Sequence, residues 1–256
     1  MTTRRTLSQV LAAAMAICAG IGLSSPALAW DMNLGLWKSV TGSGTPRTET
    51  RDVSGFTGIG LSLNAVVEIR QGGTEGVTIE ADDNILPLIE TVVENASLKI
   101  RPKSRSTSFS TKNMNIVVSV KSLDRINISG GGDIHAEALK AADLKAAISG
   151  SGNMRIKSLE ADALSVSISG SGDFEAGGHV ASMRASIAGS GDIKAGKLDA
   201  KAVDISIAGS GDATVWARNT LKASIAGSGD VGYFGDAQVQ KSIVGSGSVK
   251  RLGAAP

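Results

Sequence analysis

A short pattern, Ile-x-Gly-Ser-Gly-Asp, recurs through the second half of the chain with small variations and at a nearly constant interval. Its copies begin at Ile128, Ile148, Ile168, Ile187, Ile207, Ile225 and Ile243, so the steps are 20, 20, 19, 20, 18 and 18 residues. Regular repetition at this period indicates a solenoid, in which each repeat buries its apolar face only by packing on its neighbours.

Within a copy the residues alternate between apolar and polar. From Leu164 onwards every second residue is apolar or glycine (Leu164, Val166, Ile168, Gly170, Gly172, Phe174), and the residues between them are polar. A period of two predicts strands rather than helices. The fold class we predict is therefore all-β: a single-stranded parallel β-helix with coils of 18–20 residues and two or three short strands per coil. A leucine-rich repeat would need an asparagine-centred leucine motif, and a propeller blade would need about twice this length.

The glycines of the repeat predict its corners. Two columns of seven glycines, one on each side of the central serine, account for 14 of the 32 glycines in the chain. Glycine allows positive φ and a close approach of two backbones, which a tight corner between stacked coils requires. With only eight aromatic residues in 256, the core must be built from Val, Ile, Leu and Ala.

Residues 1–29 read as a secretory signal peptide. Arg4 and Arg5 are followed by an apolar stretch to Leu23 and by Ala27-Leu28-Ala29, a small-x-small site after which cleavage is expected. The stretch is short and is broken by glycines, which disfavours a retained membrane helix. We therefore predict an exported protein, periplasmic or at the cell surface, with no transmembrane segment after cleavage.

The leader also contains the only cysteine and two of the 26 basic residues, but none of the 24 acidic ones. The remaining chain is neutral, so its charge gives no reason to expect nucleic acid as a partner. Without cysteine it must be stabilised by packing and backbone pairing. No cofactor is expected.

The rest of the chain divides into four parts. Residues 30–50 are interpreted as a flexible lead-in, 51–125 as irregular β coils that cap the solenoid, 126–252 as the regular coils, and 253–256 as a tail. In the capping part, strands are expected at 60–69, 76–80, 96–101 and 113–120, a helical or turn segment at 84–90, and an exposed loop at 103–112.

One polar column is the best candidate for chemistry. The residue after each corner is Asp133, Asn153, Asp173, Asp192, Asp212 or Asp230, and Ser248 closes the series. On a β-helix these residues line up along one edge. Asp and Asn suit turns because their side chains accept hydrogen bonds from nearby backbone amides, and this is the first hypothesis. A weak cation site or a polar ladder facing a ligand is the alternative.

No catalytic residue can be assigned from the sequence. His135 and His179 lie seven and eleven residues after the repeat isoleucine of their coils, so they form no column. Zinc spacings, a nucleophile elbow and a phosphate loop are absent from the sequence. Some β-helices are polysaccharide lyases or hydrolases, so a glycan-active enzyme stays open as an alternative, but the short coils leave little material to wall a cleft.

The chain resembles the auto-transporter adhesin head (GIN) domain family of bacterial envelope proteins. The matching features are residues 51–56 (RDVSGF), 66–72 (VVEIRQG), 82–86 (DDNIL), 96–100 (ASLKI) and the coils themselves. The resemblance spans about Arg51 to Leu252. It implies a right-handed parallel β-helix in the periplasm or outside the cell, and a non-enzymatic, adhesin-like or structural module. Its partner would be an envelope protein or a surface polysaccharide.

Overall fold

The structure is a computed structural model that describes residues 38–104, 106–112 and 114–255. The signal peptide predicted for residues 1–29, and residues 30–37 of the predicted lead-in, lie outside the described residues. The described chain contains strands and one short 3₁₀ helix at Leu86–Leu88, with no α-helix in these ranges. It forms a β-solenoid of about six turns, which confirms the predicted fold class.

The regular coils are long, kinked strands stacked in parallel. They are β10 (Arg125–Gly130), β11 (Asp133–Gly150), β12 (Met154–Gly170), β13 (Phe174–Gly189), β14 (Ile193–Gly209) and β15 (Ala213–Gly227). The repeat isoleucines are register partners from coil to coil, beginning with Ile128 to Ile148 and ending with Ile225 to Ile243. The sequence repeat is therefore also the stacking unit.

Each coil has three sides. In β12 the buried side chains fall into the groups Met154 and Ile156, then Leu159 and Ala161, then Leu164, Val166 and Ile168. The alternation changes phase between groups, and each phase change marks a corner, because a continuous strand would keep every second residue inside. We call these the first, second and third sides. The Gly-Ser-Gly corner joins the third side to the first side of the next coil.

The glycine corners were predicted correctly, and the two columns meet different requirements. In the first column, from Gly130 to Gly245, φ lies between 115° and 138° at every member. In the second column, a Cβ on Gly211 would lie 2.1 Å from the carbonyl oxygen of Gly191. A Cβ on Gly209 of the first column would likewise lie 2.2 Å from the carbonyl oxygen of Gly189, so both columns need the absence of a side chain and the first also needs an unusual backbone conformation.

The N-terminal part continues the stack with a different chain order. Strand β3 (Gly58–Leu61) lies between β10 and β7 (Ser97–Pro102), and β4 (Val66–Gln71) lies between β11 and β9 (Asn115–Val120). Antiparallel strands then close this end: β6 (Ile89–Glu94) pairs with β7, β5 (Gly76–Asp82) with β9, and β2 (Pro46–Arg51) with β5.

Two segments differ from the prediction. In the predicted lead-in, residues 38–41 form β1 and residues 46–51 form β2, and the predicted loop 103–112 contains β8 (Thr107–Ser110), which pairs with β1. The pairing of β1 with β8 joins residues about 70 apart, and neither strand has a marked apolar alternation. The helical segment predicted at 84–90 is confirmed by the 3₁₀ helix.

The C-terminal end of the stack carries a free edge. The last strands are β16 (Asp230–Phe234), β17 (Gln238–Gly245) and β18 (Ser248–Gly253). Among the described residues β17 pairs only with β15, and β18 only with β16. Lys241 occupies the inward position of β17, opposite Ala223 in the coil before it.

Candidate functional site

The predicted polar column forms a continuous ladder of hydrogen bonds along one edge of the solenoid. The side-chain Oδ1 of each member accepts a hydrogen bond from the backbone N–H of the member one coil further on. The N–O distances are 3.0 Å (Asn153 to Asp133), 3.2 Å (Asp173 to Asn153), 3.1 Å (Asp192 to Asp173), 3.0 Å (Asp212 to Asp192), 2.7 Å (Asp230 to Asp212) and 2.8 Å (Ser248 to Asp230). We call this series, Asp133 to Ser248, the acidic ladder. Its side chains therefore join successive coils.

The repulsion expected between stacked carboxylates is offset at several levels. Asn153 donates its Nδ2 to Oδ1 of Asp133 at 2.8 Å. Lys194 contacts the other carboxylate oxygen of Asp173 at 2.7 Å, and this hydrogen bond raises the pKa of Lys194 above its ordinary value. At the last coil the Ser248 hydroxyl donates to Asp230, and its hydrogen bonds lower the pKa of that carboxyl.

Each Asp or Asn side chain of the ladder accepts a hydrogen bond from a backbone N–H, and that N–H belongs to the next coil. The hypothesis from the sequence specified only a nearby backbone amide. In the described part of the chain, no three His, Cys, Asp or Glu side chains come close enough together to hold a metal ion. Weak cation binding along the ladder stays a prediction.

The two histidines lie in different columns, as expected. His135 has Glu68 and Arg155 as its register partners, and His179 has Glu160 and Asp199. His179 Nδ1 lies 3.3 Å from Asp199 Oδ2, and Arg218 also donates to this oxygen. The Asp199 side chain is only 10% exposed, whereas that of His179 is 49% exposed.

Sequence reasoning missed this buried carboxylate because Asp199 follows a register shift between β13 and β14. The Arg218 guanidinium lies 5.9 Å from the centre of the Trp216 ring, and so links Asp199 to the aromatic residues near the last coils. The cluster forms a polar contact on the second side, in which Arg218 and His179 both contact one carboxylate that is almost removed from solvent.

A long groove runs along the first side of the solenoid, with a volume of about 770 Å³. Its floor is made of small or inward-facing residues such as Ala136, Ile156 and Ala176. Its rims carry Arg155, Lys157, Lys194, Lys197, Glu137 and Glu175, and His135 stands at one end. We call this feature the first-side groove.

Ion pairs between successive coils organise the rims. Arg155 contacts Glu175 at 2.7 Å, and Lys157 contacts Glu137 at 2.8 Å. Hydrogen bonds to Glu137 raise the pKa of Lys157. Both groove carboxylates thus have cationic partners on a neighbouring coil.

The far end of the groove is formed by Phe234. A Cβ on Gly196 would lie 3.2 Å from the Phe234 ring and 3.2 Å from Thr214 Cγ2, so the ring packs over the glycine. Phe234 is only partly buried, and it leaves an aromatic surface at this end.

A second cavity, of about 760 Å³, lies along the second side. Its lining includes the carboxyl groups of Asp124, Asp143, Glu160 and Asp162, together with His179. Lys140 forms an ion pair with Glu160 at 2.8 Å.

Within the described residues there is no helix with the length and apolar character of a membrane span.

Comparison with known proteins gives one family. A family model described as "Putative auto-transporter adhesin, head GIN domain" matches residues 55–237. A crystal structure of a "putative adhesin" from Bacteroides fragilis is 30% identical, with a TM-score of 0.79 over 83% of this chain and 100% of that chain. One of a "putative lipid binding protein" from Parabacteroides distasonis is 30% identical, with a TM-score of 0.73 over 84% and 100%. A "putative adhesin" from Parabacteroides merdae is 25% identical, with a TM-score of 0.68 over 84% and 99%. No curated protein matches significantly.

Proposed function

Because the chain belongs to the auto-transporter adhesin head (GIN) domain family, we propose that it is a non-enzymatic, exported module of the cell envelope that binds a surface partner. The observation that carries this proposal is the first-side groove. It is a preformed concave surface on a rigid stack, with charged side chains already held in place by ion pairs between coils. Such preorganisation reduces the entropy lost on binding.

The chemistry of the groove favours binding over catalysis. Hydrolysis of a glycosidic bond requires one carboxylic acid that keeps its proton near neutral pH, which normally needs an apolar environment that raises its pKa. In the groove, Glu137 and Glu175 each face a cation at hydrogen-bonding distance. Both side chains are also exposed to solvent, so neither lies in an apolar environment of that kind.

Two further observations support an envelope location. Residues 1–29 have the charge, apolar stretch and small-residue site of a secretory signal. Related structures are described as adhesins. One relative is described as lipid binding, so an amphiphile is the main competitor to a polysaccharide or protein partner.

The proposal is tested by incubating protein purified from the full-length gene with envelope fractions and isolated surface polysaccharides. We expect saturable retention on at least one of these fractions, with no shortening of the polysaccharide and no new reducing ends. Absence of retention on every fraction would contradict the binding role, and release of reducing ends would contradict the non-enzymatic one.

The glycan-active alternative would have to use the second-side cavity. That cavity is lined by Asp124, Asp143, Glu160 and Asp162. Hydrolysis of a glycosidic bond uses a pair of such carboxyl groups. If reducing ends appear in the same assay, Asp143→Asn and Asp162→Asn are the variants that should abolish their release.

A further inference from the structure

The first-side groove has a local excess of positive charge. Its rims contribute four basic residues (Arg155, Lys157, Lys194, Lys197) and two acidic ones (Glu137, Glu175). Lys194 is also paired with Asp173 of the acidic ladder, so one positive charge, that of Lys197, has no acidic partner among the described residues. The chain without its leader is neutral, so this excess belongs to the groove and not to the whole protein. An anionic ligand is therefore favoured there.

Lys197 is the cation most available to a ligand. Arg155, Lys157 and Lys194 have carboxylate partners at 2.7 to 2.8 Å. Lys197 is exposed and makes no ion pair among the described residues. Its ammonium group can therefore bind an incoming carboxylate without breaking an existing contact.

The groove is straight and repeats with the coils. From the coil of His135 to that of Thr214 there are four steps of ~4.8 Å, or about 19 Å, and the Phe234 ring closes this end. Side chains on the rims recur at each step, as the register of His135, Arg155, Glu175 and Lys194 shows. A linear polymer with a regular repeat can place one unit opposite each step, and its anionic groups can contact the cationic steps.

The backbone on this side cannot accept a peptide strand. The first-side segments of β12, β13 and β14 are paired with a parallel neighbour on both edges. Strand addition requires a free edge, so recognition here must use side chains and the Phe234 ring. A sugar chain meets this requirement, because its hydroxyl groups can hydrogen-bond the charged side chains and its ring faces can stack on an aromatic ring.

An acyl chain fits the groove less well than a sugar chain. Charged residues line the rims at nearly every coil, and the groove is open to solvent. The Phe234 ring offers an aromatic surface at only one end, which is enough for one sugar ring but short for a fatty acid.

We propose that the first-side groove binds a linear polysaccharide that carries carboxylate groups, with Lys197 as the principal cationic contact and Phe234 as a stacking surface at one end. This inference rests on the proposed binding function and specifies its ligand and its site.

The test measures, by calorimetry at low salt, the binding of polygalacturonate to protein purified from the full-length gene. Dextran serves as the neutral polymer, and vesicles of phosphatidylglycerol serve as the anionic lipid. The variant is Lys197→Glu, and the matched control is Lys145→Glu, an exposed lysine on the third side without an ion pair among the described residues. Both variants should melt like the parent, because both side chains are exposed.

We expect saturable binding of polygalacturonate that weakens about tenfold or more in Lys197→Glu and less than about twofold in Lys145→Glu. Binding should also weaken with added salt, since the contacts are exposed. Equal binding of dextran, equal effects of the two variants, or lipid binding in place of polygalacturonate binding would each overturn the inference. If the protein is still retained on envelope fractions in any of these cases, the proposed function stands and only this ligand assignment fails.

Discussion

At the second glycine of each corner the backbones of successive coils lie so close that one added methyl group should be strongly destabilising. A Cβ on Gly211 would lie 2.1 Å from the carbonyl oxygen of Gly191, whereas ordinary contact begins at 3.4 Å. The two coils would have to separate locally by more than 1 Å. That movement would break the neighbouring hydrogen bond from Ser210 N to Gly189 O, now 2.9 Å long.

The expected cost of Gly211→Ala combines two effects. Overpacking against an atom that cannot move aside costs about 3 kcal/mol. The lost backbone hydrogen bond adds about 1 kcal/mol. A total of about 4 kcal/mol corresponds to a fall in melting temperature of about 8–16 °C for a domain of this size.

The measurement is thermal unfolding followed by far-ultraviolet circular dichroism, with Gly73→Ala as the matched control. A Cβ on Gly73 meets no atom within 4 Å, and its φ lies outside the left-handed region. The same chemical change there should be neutral or stabilise the protein by about 0.4–1 kcal/mol, because it reduces the freedom of the unfolded chain. If the two variants melt within about 2 °C of each other, the close stacking of the corners is refuted.

Three further predictions concern the ends and the ladder. Lys241→Ala gives β17 the same residue as its register partner Ala223 and removes the lysine that protects a free strand edge, so we expect the protein to associate in a concentration-dependent way in analytical ultracentrifugation. A sedimentation profile equal to that of the parent at all concentrations would contradict this. Asp212→Ala removes the acceptor for the N–H of Asp230 and should cost about 1 kcal/mol in chemical unfolding, whereas Asp212→Asn keeps an acceptor and should cost little; equal costs would show that charge matters and not the hydrogen bond. Ser248→Ala should raise the pKa of Asp230 in an NMR titration, since the Ser248 hydrogen bonds lower it. The folded-state pKa of Asp230 is below its unfolded value of about 3.8, so its stabilising contribution is present above that value and is lost as the pH falls through the folded-state pKa; an unchanged titration in the variant would contradict the assigned cause.

Much of the fold was predictable because it is encoded locally. The alternation in each copy defines strands, and the constant step between copies defines which strands are neighbours. The isoleucine column and the corners with positive φ at the first glycine follow from these two facts. The acidic ladder was predictable as a column for the same reason.

The antiparallel cap was not predictable in this way. Strand β6 pairs with β7, and β2 pairs with β5, in a part of the chain that has no sequence repeat to predict the pairing. The spatial order also departs from the chain order, since β3 lies between β7 and β10. Short strands without periodic neighbours have many possible partners of similar local energy, so only the packed end of the solenoid selects among them.

The candidate site shows the same division. The sequence by itself determined that polar side chains stand in columns and apolar ones face inward, because both follow from a period of two and a repeat of 18–20 residues. Only the tertiary structure decided which atoms meet: the carboxylate of each ladder residue with the amide of the next coil, Asp199 with His179, and Phe234 over Gly196. These contacts join residues that lie close in space but a full coil or more apart in sequence. Their existence depends on corners and on register shifts of one to three residues between coils, to which the alternating pattern is insensitive.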